Sequence, residues 1–422
     1  MFIVVLGSIL ALMHLYVWKR TVRDTTEPGH VRRWGSGLVA ALLLLLLAAL
    51  LVPRVFGVAE SGWLAWPGYL WFGLLTYLFL ALLVLEPVRL ALRIRRSRRA
   101  PAPVAAAPDT PAPDTPAPVA AAPDTPAPDT PAQDAPAQDA QARVDRRLFL
   151  ARASAVAAGA AAVGLTGAGV ASALGPPQLL QVPVRLPRLD RAFDGYRVAV
   201  VADIHLGPLL GRAHTERIVR IINETEPDLV AVVGDVVDGT VEELGPAAGP
   251  LGDLSARDGA FFVTGNHEYF VDDTAEWIRE LERLGLQPLR NENTRIRRGA
   301  AAFDLAGVND VAGAQRSDPP DFDRALAGAD SGGPTILLAH QPVQVTEAAA
   351  RGVDLQLSGH THGGQMWPFH YVVALAQPSL AGLSQVQDTQ LYVTRGAGFW
   401  GPPVRIGAPP DISLLTLRSA DV

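Results

Sequence analysis

Asp228-Leu229-Val230-Ala231-Val232-Val233-Gly234-Asp235-Val236-Val237-Asp238 is the stretch on which the reading of this chain turns. Its first six residues, rich in β-branched side chains, predict a short strand over 228–233. A glycine then turns the chain, and two carboxylates stand just past the strand end. That is where α/β sheets place their ligands.

The same pattern recurs on both sides. Strands predicted over 196–202, 260–264, 334–339 and 353–357 each run into a polar cluster. These clusters are Asp203-Ile204-His205, Gly265-Asn266-His267-Glu268, His340 and Gly359-His360-Thr361-His362. Further strands are predicted over 302–308, 390–394 and 412–417, and helices over 213–226 and 274–284, the second with Thr274 as N-cap. Residues 176–422 therefore read as one α/β domain. Taken singly the clusters are ordinary, since an aspartate after a strand often caps a turn and a lone histidine is usually a core residue. Five of the nine histidines fall inside them, however. Packing does not explain side chains that are costly to bury gathering at five strand ends beside turn glycines.

The absence of cysteine removes thiolate sites, so a metal would be held by His, Asp, Glu and Asn. Two cations held close together need a carboxylate bridge, several imidazole or amide donors, and open positions for water and phosphate. The five clusters supply these pieces, and sulfur-free ligation suits Mn, Fe or Zn.

In order and composition the motifs resemble those of the calcineurin-like metallophosphoesterases over roughly 196–417. The resemblance implies a two-sheet β-sandwich flanked by helices. It implies that Asp203, His205, Asp235 and His362 hold one divalent ion and Asp235, Asn266, His340 and His360 a second, with Asp235 as the bridge. His267 would act on the phosphate or the leaving oxygen, and a metal-bridging hydroxide would attack the phosphorus. Asp238 and Glu268 would orient ligands. Gly359 to Pro368 and the Thr394-Arg395-Gly396 segment resemble a bacterial subgroup that is membrane-anchored or exported by twin-arginine signals. There Arg395 is a candidate phosphate contact, or else half of a structural salt bridge. The implied activity is hydrolysis of phosphate mono- or diesters. The alternative is a catalytically silent membrane sensor or scaffold that keeps a ligand-binding domain of this type.

Ahead of this domain the chain changes character. At 49% hydrophobic and 18% charged residues it is too apolar for an ordinary soluble protein. Uncharged runs over 2–18, 35–52 and 62–85 predict three transmembrane helices, forming an all-α membrane region over 1–99. Cations cluster between the first two runs (Lys19 to Arg33) and after the third (Arg89 to Arg99), so both clusters are expected in the cytoplasm. Residues 100–142 form an Ala/Pro/Asp-rich linker in which 101–115 repeats letter for letter as 116–130, a composition that builds no core. Over 143–175, Arg146-Arg147 precede a mildly apolar run, as in a twin-arginine signal or a fourth helical anchor. The expected arrangement is a multi-pass protein of the cell membrane with its catalytic domain on the extracytoplasmic side. Its substrates would be phosphoesters there, with envelope lipids or wall components nominated by location. A net charge of -6 gives no cationic field for nucleic acid, which is not expected as a partner.

Overall fold

The structure, a computed structural model, describes residues 2–58, 61–97, 135–271, 273–329 and 332–420. Its N-terminal part is helical: α1 (Phe2–Trp18), α2 (His30–Phe56), α3 (Gly62–Val84), α4 (Glu86–Ser97) and α5 (Ala135–Leu174). Among the described residues, three segments could cross a membrane by length and composition: His30–Pro53, Gly62–Ala91 and Arg146–Leu174. The first predicted span coincides with α1, which has 17 residues. The repeat over 101–130 lies outside the described residues. Helix α5 begins within the segment expected to be linker, where alanine and glutamine are good helix formers.

From Gln178 the chain builds two six-stranded sheets. The first contains β1 (Gln178–Leu186), β2 (Arg197–Val201), β3 (Leu229–Val233), β4 (Ala260–Val263), β5 (Leu286–Pro288) and, from the end of the chain, β12 (Asp411–Ser419). Its order is β1-β12-β2-β3-β4-β5. The second contains β6 (Glu292–Arg298), β7 (Ala301–Gly307), β8 (Thr335–Leu338), β9 (Leu355–Ser358), β10 (Gly382–Val386) and β11 (Thr389–Val393), in the order β10-β11-β9-β8-β7-β6. Strands β2 to β5 run parallel, as do β7, β8, β9 and β11. The flanking helices are α6 (Arg212–Glu224), α7 (Val241–Ala248), α8 (Asn266–Phe270), α9 (Thr274–Arg283), α10 (Phe322–Ala325), α11 (Val345–Ala350) and α12 (His370–Val373).

Strand β3 shows why the sheets close over one another. All of its residues are buried, because both of its faces are covered. Leu229, Ala231 and Val233 meet Phe303, Leu305, Ile336 and Leu338 of the second sheet, while Val230 and Val232 share the outer core with Ile218, Ile222, Trp277 and Leu281 of α6 and α9. The eight predicted strands are all present. The four not predicted, β1, β5, β6 and β10, are the four sheet edges. Edge strands need no alternating apolar face, and β6, Glu292-Asn293-Thr294-Arg295-Ile296-Arg297-Arg298, has the charged composition that blunts an edge. One cap is corrected: Asp273, not Thr274, caps α9, accepting from the Glu276 amide at 2.9 Å. The Thr274 hydroxyl instead donates to Glu268 O at 2.7 Å.

Candidate metal centre

Packing the sheets face to face brings together the loops that follow β2, β3, β4, β8 and β9. Asp203 and His205 leave β2, Asp235 and Asp238 leave β3, and Asn266 and His267 open α8. His340 follows β8, and His360 and His362 follow β9. The loops are lashed to one another: the Asp203 amide donates to Gly234 O at 3.0 Å, that of His205 to Asp235 O at 3.1 Å and that of Gly359 to His340 O at 2.9 Å. Asp203, His205, Asp235, His360 and His362 all have positive φ, from 49° to 71°. Side chains other than glycine rarely adopt this conformation, and it gathers at functional sites. Close approach also dictates two glycines. A β-carbon on Gly265 would stand 2.2 Å from Asp235 Oδ1, and one on Gly359 would stand 2.5 Å from Asp203 Oδ2.

The converging atoms form groups that could hold a cation. Asp203, His205 and His362 offer donor atoms within 4.8 Å of one another, and so do Asp235, His340 and His360. In the first group His205 Nε2 lies 3.0 Å from His362 Nε2, which is 3.5 Å from Asp203 Oδ1. Asp235 Oδ2 lies between the groups, 3.1 Å from His340 Nε2 and 3.8 Å from His205 Nε2.

The rings are aimed from behind. His340 Nδ1 donates to Val233 O at 2.7 Å, which turns its Nε2 toward the centre. Asp238 Oδ1 accepts from His205 Nδ1 at 3.1 Å and from His267 Nδ1 at 2.5 Å, so one carboxylate orients both rings. Glu268 is fully buried and accepts from the amides of Gly265, Asp235 and Val236 at 2.7, 3.0 and 2.7 Å, joining the β3 and β4 loops.

Charge differs sharply among these groups. Burial would raise the Asp235 carboxyl, but His340 and His267 hold it well below the usual carboxylate range. Burial raises Asp203 to about 6. Burial and then His340 press His360 down to about 3, while burial and then His205 hold His362 well below its ordinary value. Against burial, which alone would lower it, Asp235 and Asp238 push His267 up to about 9.

Two buried atoms here have no hydrogen-bond partner: Asn266 Oδ1 and His340 Nε2, the latter close to Asp235 but misaligned with it. Buried polar atoms are normally paired. An unpartnered amide oxygen and ring nitrogen beside two nitrogen-and-oxygen groups, with Asp235 Oδ2 between them, fit two divalent ions.

Arg405 was not anticipated from the sequence. It is 1% exposed, and its guanidinium donates to the carbonyls of Gly398, Arg395, His362 and Ala408 and reaches His362 Nδ1 at 3.0 Å. It is the only charged residue between Arg395 and Asp411, but nothing in that spacing points to His362. Arg395 itself pairs through Nε with Asp411 Oδ2 at 2.6 Å, and its Nη2 donates to Gln178.

Residues 196–364 match the calcineurin-like phosphoesterase family. An uncharacterized metallophosphoesterase of Aquifex aeolicus is 32% identical over 228 residues, covering 53% of this chain and 85% of that protein. The chain belongs to the calcineurin-like phosphoesterase family. A transmembrane protein with metallophosphoesterase domain from Danio rerio is 38% identical over 261 residues, so the chain spans about 60% of that relative's length. The solved structure of a dimetal phosphatase from Danio rerio aligns with 48% of this chain and 88% of its own at 12% identity, with a TM-score of 0.32. Calcineurin-like phosphoesterases use divalent metals, and this member has His and Asp groups that could bind them.

Proposed function

We propose that the protein is a membrane-held hydrolase of phosphate mono- or diesters whose metal centre lies outside the cytoplasm. Asp235 carries this reading. One buried carboxylate oxygen faces ring nitrogens of both ligand groups, which is what a dinuclear centre asks of its bridge. Asp203, His205, Asp235 and His362 would hold one ion; Asp235, Asn266, His340 and His360 would hold the other. The chemistry two bound ions supply is charge neutralisation at the phosphoryl oxygens and activation of water.

The remaining steps fall to the chain's own groups. With Nδ1 committed to Asp238, His267 turns Nε2 toward the centre, 4.0 Å from Asp235 Oδ2, and holds a proton there for the leaving oxygen. Glu268 keeps the β3 and β4 loops at fixed separation. Arg395 is anchored on Asp411 through Nε, so a phosphate contact would come from its Nη groups.

The location is supported by where the helices meet the domain. The Val58 amide, just past α2, donates to Glu243 Oε1 at 2.6 Å, and Leu174 O at the end of α5 accepts from Arg217 at 3.1 Å. The basic clusters lie at the opposite ends of α2 (Lys19 to Arg33) and of α3 (Arg89 to Arg99), the ends that cationic residues retain in the cytoplasm. Arg146 and Arg147 lie toward the start of α5, as an export or anchoring signal requires.

The test is hydrolysis of p-nitrophenyl phosphate and bis(p-nitrophenyl) phosphate by the full chain in detergent, with and without Mn. Metal-dependent turnover that disappears in Asp235→Asn and His267→Ala is expected. A chain that binds metal but hydrolyses neither ester would favour the silent-sensor reading.

A further inference from the structure

No Asp, Glu, Lys or Arg occurs between Asp354 and Asp388. The middle of this stretch, which passes through α12, turns apolar side chains outward: Trp367 is 53% exposed, Tyr371 66%, Val372 61% and Leu375 88%. Trp400 and Phe270, with rings 5.8 and 5.1 Å from that of His267, are also exposed. Soluble surfaces rarely gather so many large apolar groups in one place.

This face is continuous with the membrane helices. Val404 and Ile406 pack with Tyr77 of α3 and with Ala162 and Val170 of α5, and the Arg405 amide donates to Gly169 O at 2.9 Å. The fit is tight: a β-carbon on Gly73 would stand 2.7 Å from Val404, and one on Gly169 would stand 2.4 Å from it. Depth follows from helix geometry. Gly62, at the start of α3, lies beside Pro208 of the domain, whereas Gly73 is eleven residues, or about 16 Å, further along the helix. Trp63 and Trp66, at the domain-facing end of α3, have the place of an interfacial aromatic belt. The loop bearing Val404 therefore descends below that belt. A cavity of about 200 Å³, lined by Gly363, Trp367, His370, Leu380, Ile406 and Gly407, joins this loop and the apolar face to the residue next to His362.

From this continuity we infer that the face bearing Trp367, Tyr371, Val372 and Leu375 rests in the lipid surface, so that the metal centre opens at headgroup level. Its substrates are then phosphoesters of membrane-resident amphiphiles, whose apolar chains lie along this face. The substrate class rests on the phosphoesterase reading; the position of the face does not.

The cysteine-free chain allows a direct test. Tyr371→Cys, Leu375→Cys and, in the β6–β7 turn at the far end of the second sheet, Ala300→Cys are each labelled with an environment-sensitive dye. Each full chain is then reconstituted in vesicles of phosphatidylcholine and phosphatidylglycerol. Labels at 371 and 375 are expected to lose emission to a nitroxide-bearing lipid and to resist aqueous iodide, with the reverse at 300. Iodide quenching at 371 and 375 equal to that at 300 overturns the inference. So does protection from both quenchers, which would mean that protein covers the face. For substrate class, soluble aryl esters first establish whether mono- or diesters are cleaved. The hexadecyl and methyl members of that ester class are then compared in vesicles, with the hexadecyl ester expected to be cleaved at least about tenfold faster. Equal rates overturn the substrate class. Absence of all aryl ester hydrolysis overturns the phosphoesterase reading instead and leaves the labelling result standing.

Discussion

His340 and His362 face the same centre but are held in different ways. His340 hangs from the sheet, its Nδ1 bonded to the carbonyl at the end of β3. His362 leans on Arg405, whose guanidinium is held by loop carbonyls and whose neighbours Val404 and Ile406 are gripped by α3 and α5. One ligand group thus depends on the ladder of the domain itself. The other depends on a loop whose position the membrane helices help to fix. The two candidate ligand groups, similar in composition, are therefore expected to respond differently to perturbation.

Variants on either side of the centre test this contrast. Asp235→Asn removes the carboxylate common to both groups, so hydrolysis of an aryl phosphate by the metal-loaded chain should fall by about 10³-fold or more. His267→Ala leaves both groups intact, and a fall of about 10²-fold or more with metal content unchanged would identify a proton donor rather than a ligand. Arg405→Met acts only on the His362 side. Activity should drop about 10–100-fold, with loss of one ion while the other stays bound; equal loss of both would erase the distinction. Val404→Ala has the smallest effect: about 1.5 kcal/mol of stability from lost burial, read by thermal unfolding in detergent. A parallel weakening of the ion beside His362 would show that helix packing reaches the centre.

The comparison also explains what was legible beforehand. Strands β2, β3, β4, β8 and β9 are buried on both faces, so their apolar runs, and the polar clusters after them, stood out in the sequence. The edges β1 and β6 lack that pattern because solvent covers them. Asp238 and Glu268 could be read as orienting groups because they sit in the same motifs as the ligands. Arg405 could not, since its role comes from tertiary contacts with loops distant in sequence. Nothing in the spacing of the apolar residues at 367–375 said whether they face a core or a bilayer; only the packing of Val404 and Ile406 on α3 and α5 connects them to the membrane.

The most direct test of the central claim, a dinuclear centre bridged by Asp235, is to count the ions. The full chain, loaded with Mn and freed of excess, should carry two ions by elemental analysis, and Asp235→Asn should retain fewer than two. A single ion in the unaltered chain, or two in both chains, would contradict the account.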